Sequence, residues 1–96
     1  MKIGEIRQGM RRVDTEGTVV EISEVRNVTL RTGRPARVAD AIIKDETGTI
    51  KLSLWNEDID RVKVGDKVRI ENGYTTTFRG EIQLNVGRYG TLHITK

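Results

Sequence analysis

The chain has no cysteine, one proline, one histidine and only four aromatic rings in 96 residues. Without cysteine there can be no disulfide, no thiolate zinc site and no cysteine nucleophile. The lone histidine, His93, has no second histidine or thiol with which to form a metal site. No apolar run approaches the roughly 20 residues of a membrane-spanning helix. The first residues, Met-Lys-Ile-Gly-Glu, lack the apolar stretch of a secretion signal. These absences fit a cytoplasmic protein with no membrane contact. Phosphate-cradling and dinucleotide-binding glycine motifs are missing too. The closely spaced carboxylates Glu57, Asp58 and Asp60 suit the first turn of a short helix better than two-metal chemistry. Nothing here calls for a cofactor, a metal or a catalytic residue, and the expectation is a protein that binds and is not an enzyme.

What remains is a modest apolar fraction of 35% among 32% charged residues, enough for one domain over residues 1–96 with a single core. The net charge of +3 is too mild to argue for a polyanionic partner by itself. Its placement says more: from Arg26 to Ala39 the chain carries Arg26, Arg31, Arg34 and Arg37 and no acid. That segment reads as a local anion contact, or equally, on charge alone, as a solvated hairpin tip.

Residues 13–25 (VDTEGTVVEISEV) are rich in β-branched side chains and read as a long first strand, with Gly17 marking a bulge or bend. Ile3, Ile6 and Met10 precede it as an apolar plug for one end of the core. Residues 26–36 read as a loop containing Gly33 and Pro35. A second strand runs over 37–44, a turn over Asp45-Glu46-Thr47-Gly48, and a third strand over 49–55. Asn56 is placed to cap a short helix through Val62. The fourth strand covers 67–78, bent at Asn72-Gly73. The fifth covers 81–94 and is broken near Gly87 and Gly90. This order predicts an all-β domain, a five-stranded Greek-key barrel of the OB type with a short helical segment between strands 3 and 4. An SH3-like barrel is the structural competitor; the helix position and the long bent first strand favour the OB reading.

The few rings fall on one side of that barrel. In the third strand Ile50, Leu52 and Leu54 point inward, so Lys51, Ser53 and Trp55 point outward. In the fourth strand Tyr74, Thr76 and Phe78 share a face, followed by Arg79. In the fifth, Ile82, Leu84 and Val86 point in while Gln83 and Asn85 point out. Core aromatics normally follow the aliphatic parity; these rings oppose it and alternate with polar and basic residues. An exposed row of that kind offers stacking platforms to nucleobases. The competing reading puts Trp55 and Phe78 in a secondary core at the sheet edge. Around the rings, Lys51, Arg79 and Arg88 are candidates for phosphate contact, with Arg31, Arg34 and Arg37 closing over the groove from the first loop. Ser53, Thr76, Gln83 and Asn85 supply hydrogen bonds to base edges or sugars.

Four segments carry a family resemblance: IGEIRQGM (3–10), VADAIIKDETGTIKLSLWN (38–56), VGDKVRIENGYTTTFRG (64–80) and IQLNVGRYG (82–90). Together they resemble the archaeal single-stranded DNA-binding proteins with one OB domain, relatives of the DNA-binding domains of replication protein A. The resemblance implies that Trp55, Tyr74 and Phe78 stack on bases of single-stranded DNA. It also implies work in replication, repair or recombination beside other replication or repair proteins. Some relatives carry a further aromatic where this chain has Asn85. An RNA-binding OB module, and a protein-interaction OB subunit of a larger assembly, are the alternatives. Absence of an extra apolar face points to a monomer.

Overall fold

The computed structural model describes residues 1–95 and is built mainly of strands. A single 3₁₀ turn (Ile3–Glu5) precedes β1 (Val13–Ile22), β2 (Arg26–Thr29), β3 (Pro35–Asp45) and β4 (Gly48–Trp55). The helix α1 (Glu57–Arg61) follows, then β5 (Lys67–Phe78), β6 (Glu81–Asn85) and β7 (Thr91–Thr95). Antiparallel pairing joins β1 to β3, β3 to β4 and β6 to β5, while β4 and β6 run parallel. Because β5 also pairs with β1, the ladder returns to its start and closes a barrel. This is the OB fold, with α1 between the third and fourth of its five strands. The first strand appears as β1 and β2, both paired to β3, and the fifth as β6 and β7, both paired to β5.

Residues 26–36 differ from expectation. They form not a loop but an antiparallel arm in which β2 pairs with the start of β3, Val28 facing Ala36 and Arg26 facing Val38. Its tip spans residues 30–34, where the Leu30 N–H donates to the Arg34 carbonyl and the Gly33 N–H to the Leu30 carbonyl. Pro35 is tolerated because it is the first residue of β3, ahead of the stretch from Val38 on that pairs with β4. The bulge expected at Gly17 lies between Val19 and Glu21. Gly17 is needed for a different reason: a Cβ there would stand 3.0 Å from the Lys44 carbonyl oxygen and 3.0 Å from Ile3 Cδ1. Nor does the Asn56 side chain cap α1. Its Oδ1 accepts the Arg37 N–H at 3.1 Å, tying the end of β4 to β3.

The core lies inside the barrel, where Val13, Val19, Ile43, Leu52, Leu54, Val68, Ile70 and Leu84 are almost fully enclosed. Ile3 and Ile6 close one end, as the plug reading expects, and Val62 packs with them in the same apolar cluster. The N-terminus is held there by a carboxylate. Asp45 Oδ1 accepts the N–H groups of Thr47 (2.7 Å) and Gly48 (3.2 Å) and the Thr47 hydroxyl, and Oδ2 accepts the Ile3 N–H at 2.8 Å. Partial burial disfavours the charge on Asp45, but the Thr47 hydroxyl and these three N–H groups outweigh it and hold its pKa at about 2. Lys2 pairs with Glu46 beside it, keeping that carboxyl below its usual range. No helix among the described residues is long and apolar enough to cross a membrane.

Candidate nucleic-acid interface

Register sets the outer face of β3, β4, β6 and β5. Asp40, Ser53, Asn85 and Tyr74 lie in one row across the four strands, and Ile42, Lys51, Gln83 and Thr76 in the next. Trp55 stands beside Val38 at one end, and Phe78 beside Glu81 at the other. Tyr74 and Phe78, four residues apart, are separated by about 13 Å along β5. Exposure is 37% for Trp55, 41% for Tyr74 and 61% for Phe78, against zero for Leu52 and Leu54 on the opposite side of β4. Rings this open are not members of a secondary core.

Two of the rings are fixed in place by their neighbours. Gly87 lies against the Cδ1–Cε1 edge of Tyr74, where a Cβ would come within 2.7 Å. Any side chain at 87 would therefore push the tyrosine out of its present position. The Arg79 guanidinium sits 5.3 Å from the Phe78 ring centroid in a cation–π contact. Arg79 itself adopts a left-handed backbone (φ +52°) in the two-residue turn to β6. Tyr89, 80% exposed, carries Arg88 over its ring at 5.8 Å.

The polar residues divide into engaged and free. Ser53 and Asn85 occupy the face but are buried within it; the Asn85 amide donates to Thr76 Oγ1 at 3.0 Å. Gln83 is half-buried and Thr76 exposed. Lys51 pairs with Glu81 (Nζ–Oε2 3.0 Å), and Asp40 with Arg26 (Oδ2–Nη2 3.1 Å), so each acid on the face is matched by a cation. Arg37 is not brought to the rings. It alternates with Val38, so it points off the opposite side of β3, where it pairs with Asp60 of α1 at 3.0 Å. A hydrogen bond from the guanidinium, backed by its charge, lowers the Asp60 pKa. Among the described residues Arg31, Arg34, Arg79 and Arg88 have no carboxylate partner. Arg31 and Arg34 stand at the tip of the β2–β3 arm.

Sequence reasoning counted Arg26 in the basic segment but not among the candidate site residues, and it missed the apolar row of Val28, Ala36 and Val38, of which Val38 stands beside Trp55. The signal was present as alternation, Arg26-Val28-Leu30 against Ala36-Val38, but it was masked by the turn residues between them.

The geometry matches known proteins along nearly the whole chain. Residues 8–94 match the family model described as single-stranded DNA binding protein Ssb-like, OB fold. The single-stranded DNA binding protein Ssb of Saccharolobus solfataricus is 40% identical over 86 residues, 90% of this chain and 57% of that protein. Replication factor A of Methanothermobacter thermautotrophicus is 32% identical over 92 residues, 90% of this chain but 12% of that protein. The chain thus spans little more than half, or far less, of these curated relatives. Among solved structures, the replication factor A related protein from Methanobacterium thermoautotrophicum superposes with a TM-score of 0.81 at 26% identity. That match covers 99% of this chain and 89% of the other. Fold and sequence agree, and the chain belongs to the Ssb-like, OB-fold family of single-stranded DNA-binding proteins.

Proposed function

We propose that this chain binds single-stranded DNA with little sequence preference, stacking bases on Trp55, Tyr74 and Phe78. Arg31, Arg34, Arg79, Arg88 and Lys51 would contact phosphates, and Ser53, Thr76, Gln83 and Asn85 would line the path. One observation carries the reading: all three rings stand on the outer face of β4 and β5, against the parity of the aliphatic core. Every base has a π-face, so such rings tolerate any sequence, at about 1–3 kcal/mol per stacked base. In a duplex those faces are already covered by neighbouring bases, so the rings select unpaired strands. Arg37, turned toward Asp60, serves in this reading as a strut that holds the arm. Support also comes from relatives named for single-stranded DNA binding and for replication. The proposed setting is accordingly replication, with repair and recombination beside it.

The test is a titration of the fluorescence of Trp55, the only tryptophan, with oligothymidylate, oligouridylate and a duplex at two salt concentrations. Quenching by the DNA single strand but not the duplex is expected. Neutralising about four phosphates would give a slope of log K against log salt of roughly −3. Equal quenching by oligouridylate would make RNA an equal ligand. No quenching by either strand would overturn the proposal in favour of a protein-docking domain.

A further inference from the structure

Beyond the three rings, a groove of about 630 Å³ crosses β5 at Gly73 and Tyr74. One wall is the N-terminal segment at Arg11 and Arg12; the other is the β6–β7 connection at Gly87, Arg88 and Tyr89. Both walls are tied to β5. The Met10 N–H donates to Thr75 Oγ1 at 3.0 Å and the Thr75 N–H to the Met10 carbonyl at 3.0 Å. The Thr75 hydroxyl in turn donates to the Arg7 carbonyl. Across the groove, the Asn72 side-chain amide donates to the Tyr89 carbonyl at 3.2 Å. The lining contains three guanidinium groups, two tyrosine rings and no carboxylate. Among the described residues, Arg11, Arg12 and Arg88 lack carboxylate partners, whereas Arg26, Arg37 and Arg61 all have one. Arg12 also holds a left-handed backbone (φ +54°), a conformation that costs energy for any residue but glycine. Tyr74 belongs both to this groove and to the row of stacking rings, so the two are continuous.

We propose that this groove carries the bound strand onward from Tyr74: Arg11 and Arg12 hold the next phosphates, and Tyr89 with Arg88 flanks a further base. The inference rests on the single-strand reading above and extends its path by one or two nucleotides. Phosphate chemistry suits the acid-free lining, and the exposed ring of Tyr89 suits a base.

The experiment compares thymidine oligonucleotides of about four and about eight residues, fluorescently labelled and followed by anisotropy. The proteins are the native chain, R11Q/R12Q, Y89A and W55A. In R11Q/R12Q the short strand should bind within about twofold of native, while the long strand weakens about tenfold and its salt slope becomes shallower by about 1.4. Y89A should weaken the long strand only, with unchanged salt slope. Equal loss on both lengths, or no loss on the longer, would overturn the groove assignment. The single-strand reading fails separately, if W55A binds both lengths as well as the native protein does. Arg11, Arg12 and Tyr89 are all exposed, and thermal melts of the variants confirm folding.

Discussion

Two regions of this barrel treat charge in opposite ways. At the closed end, Asp45 accepts four hydrogen bonds and Lys2 is matched by Glu46, so the charged groups there spend their interactions on the fold. On the aromatic face and its rims, Arg31, Arg34 and Arg79 have no carboxylate partner among the described residues, and three rings are exposed to solvent. Polar groups that hold a structure are satisfied inside it, whereas groups kept for a ligand stay available. The difference separates two kinds of residue that composition alone would pool.

The sharpest way to break the comparison is W55A. Loss of one stacking platform should weaken oligothymidylate binding by about 5- to 150-fold. The melting temperature should move little, since the ring packs mainly on the surface; anisotropy titration and a thermal melt check both. A smaller effect is expected from R31Q/R34Q: weaker binding, most evident at low salt, with a salt slope shallower by about 1.4. Smaller again is E81Q. Releasing Lys51 from its carboxylate should tighten binding by a few-fold and steepen the slope by about 0.7. D45N should leave affinity unchanged and lower the melting temperature by several degrees. If D45N weakens DNA binding as much as W55A does, the division between the two regions fails.

Asp45 also sets a pH signature. Its folded pKa of about 2 lies below the ordinary 3.8, so the folded state binds the proton less readily than the unfolded chain does. The stability this confers is complete above 3.8 and is lost as the pH falls from there toward 2. Thermal melts between pH 5 and 2 should therefore show a decline in the native protein that is shallower in D45N.

Much of this was legible in the sequence because strand parity is a local property. The alternation of Ile50, Leu52 and Leu54 with Lys51, Ser53 and Trp55 fixes which side of β4 is wet before any partner strand is known. Breaks at Gly87 and Gly90 were likewise visible. The sites where the reading went astray depend on partners distant in sequence. Arg37 counts as a groove cation until α1 sets Asp60 beside it. Asn56 reads as a helix cap until β3 offers the Arg37 N–H. Residues 26–36 read as a loop because Gly33 and Pro35 announce a turn, while the pairing of Val28 with Ala36 is announced by nothing local. The groove at Arg11 and Arg12 was invisible for the same reason: Thr75, 65 positions from Met10, is what brings its wall into place.

The pairs Lys51–Glu81 and Arg26–Asp40 have a consequence for how binding would be measured. With each acid still within reach of its cation when a phosphate arrives, the pair would present almost no net charge to the strand and would displace few of its condensed counterions. A salt titration would therefore count the free arginines and pass over the paired residues, even where these touch the backbone. The number of phosphate contacts would then exceed the number of ions released, and the protein would keep more of its grip in concentrated salt than a tally of its basic residues foretells.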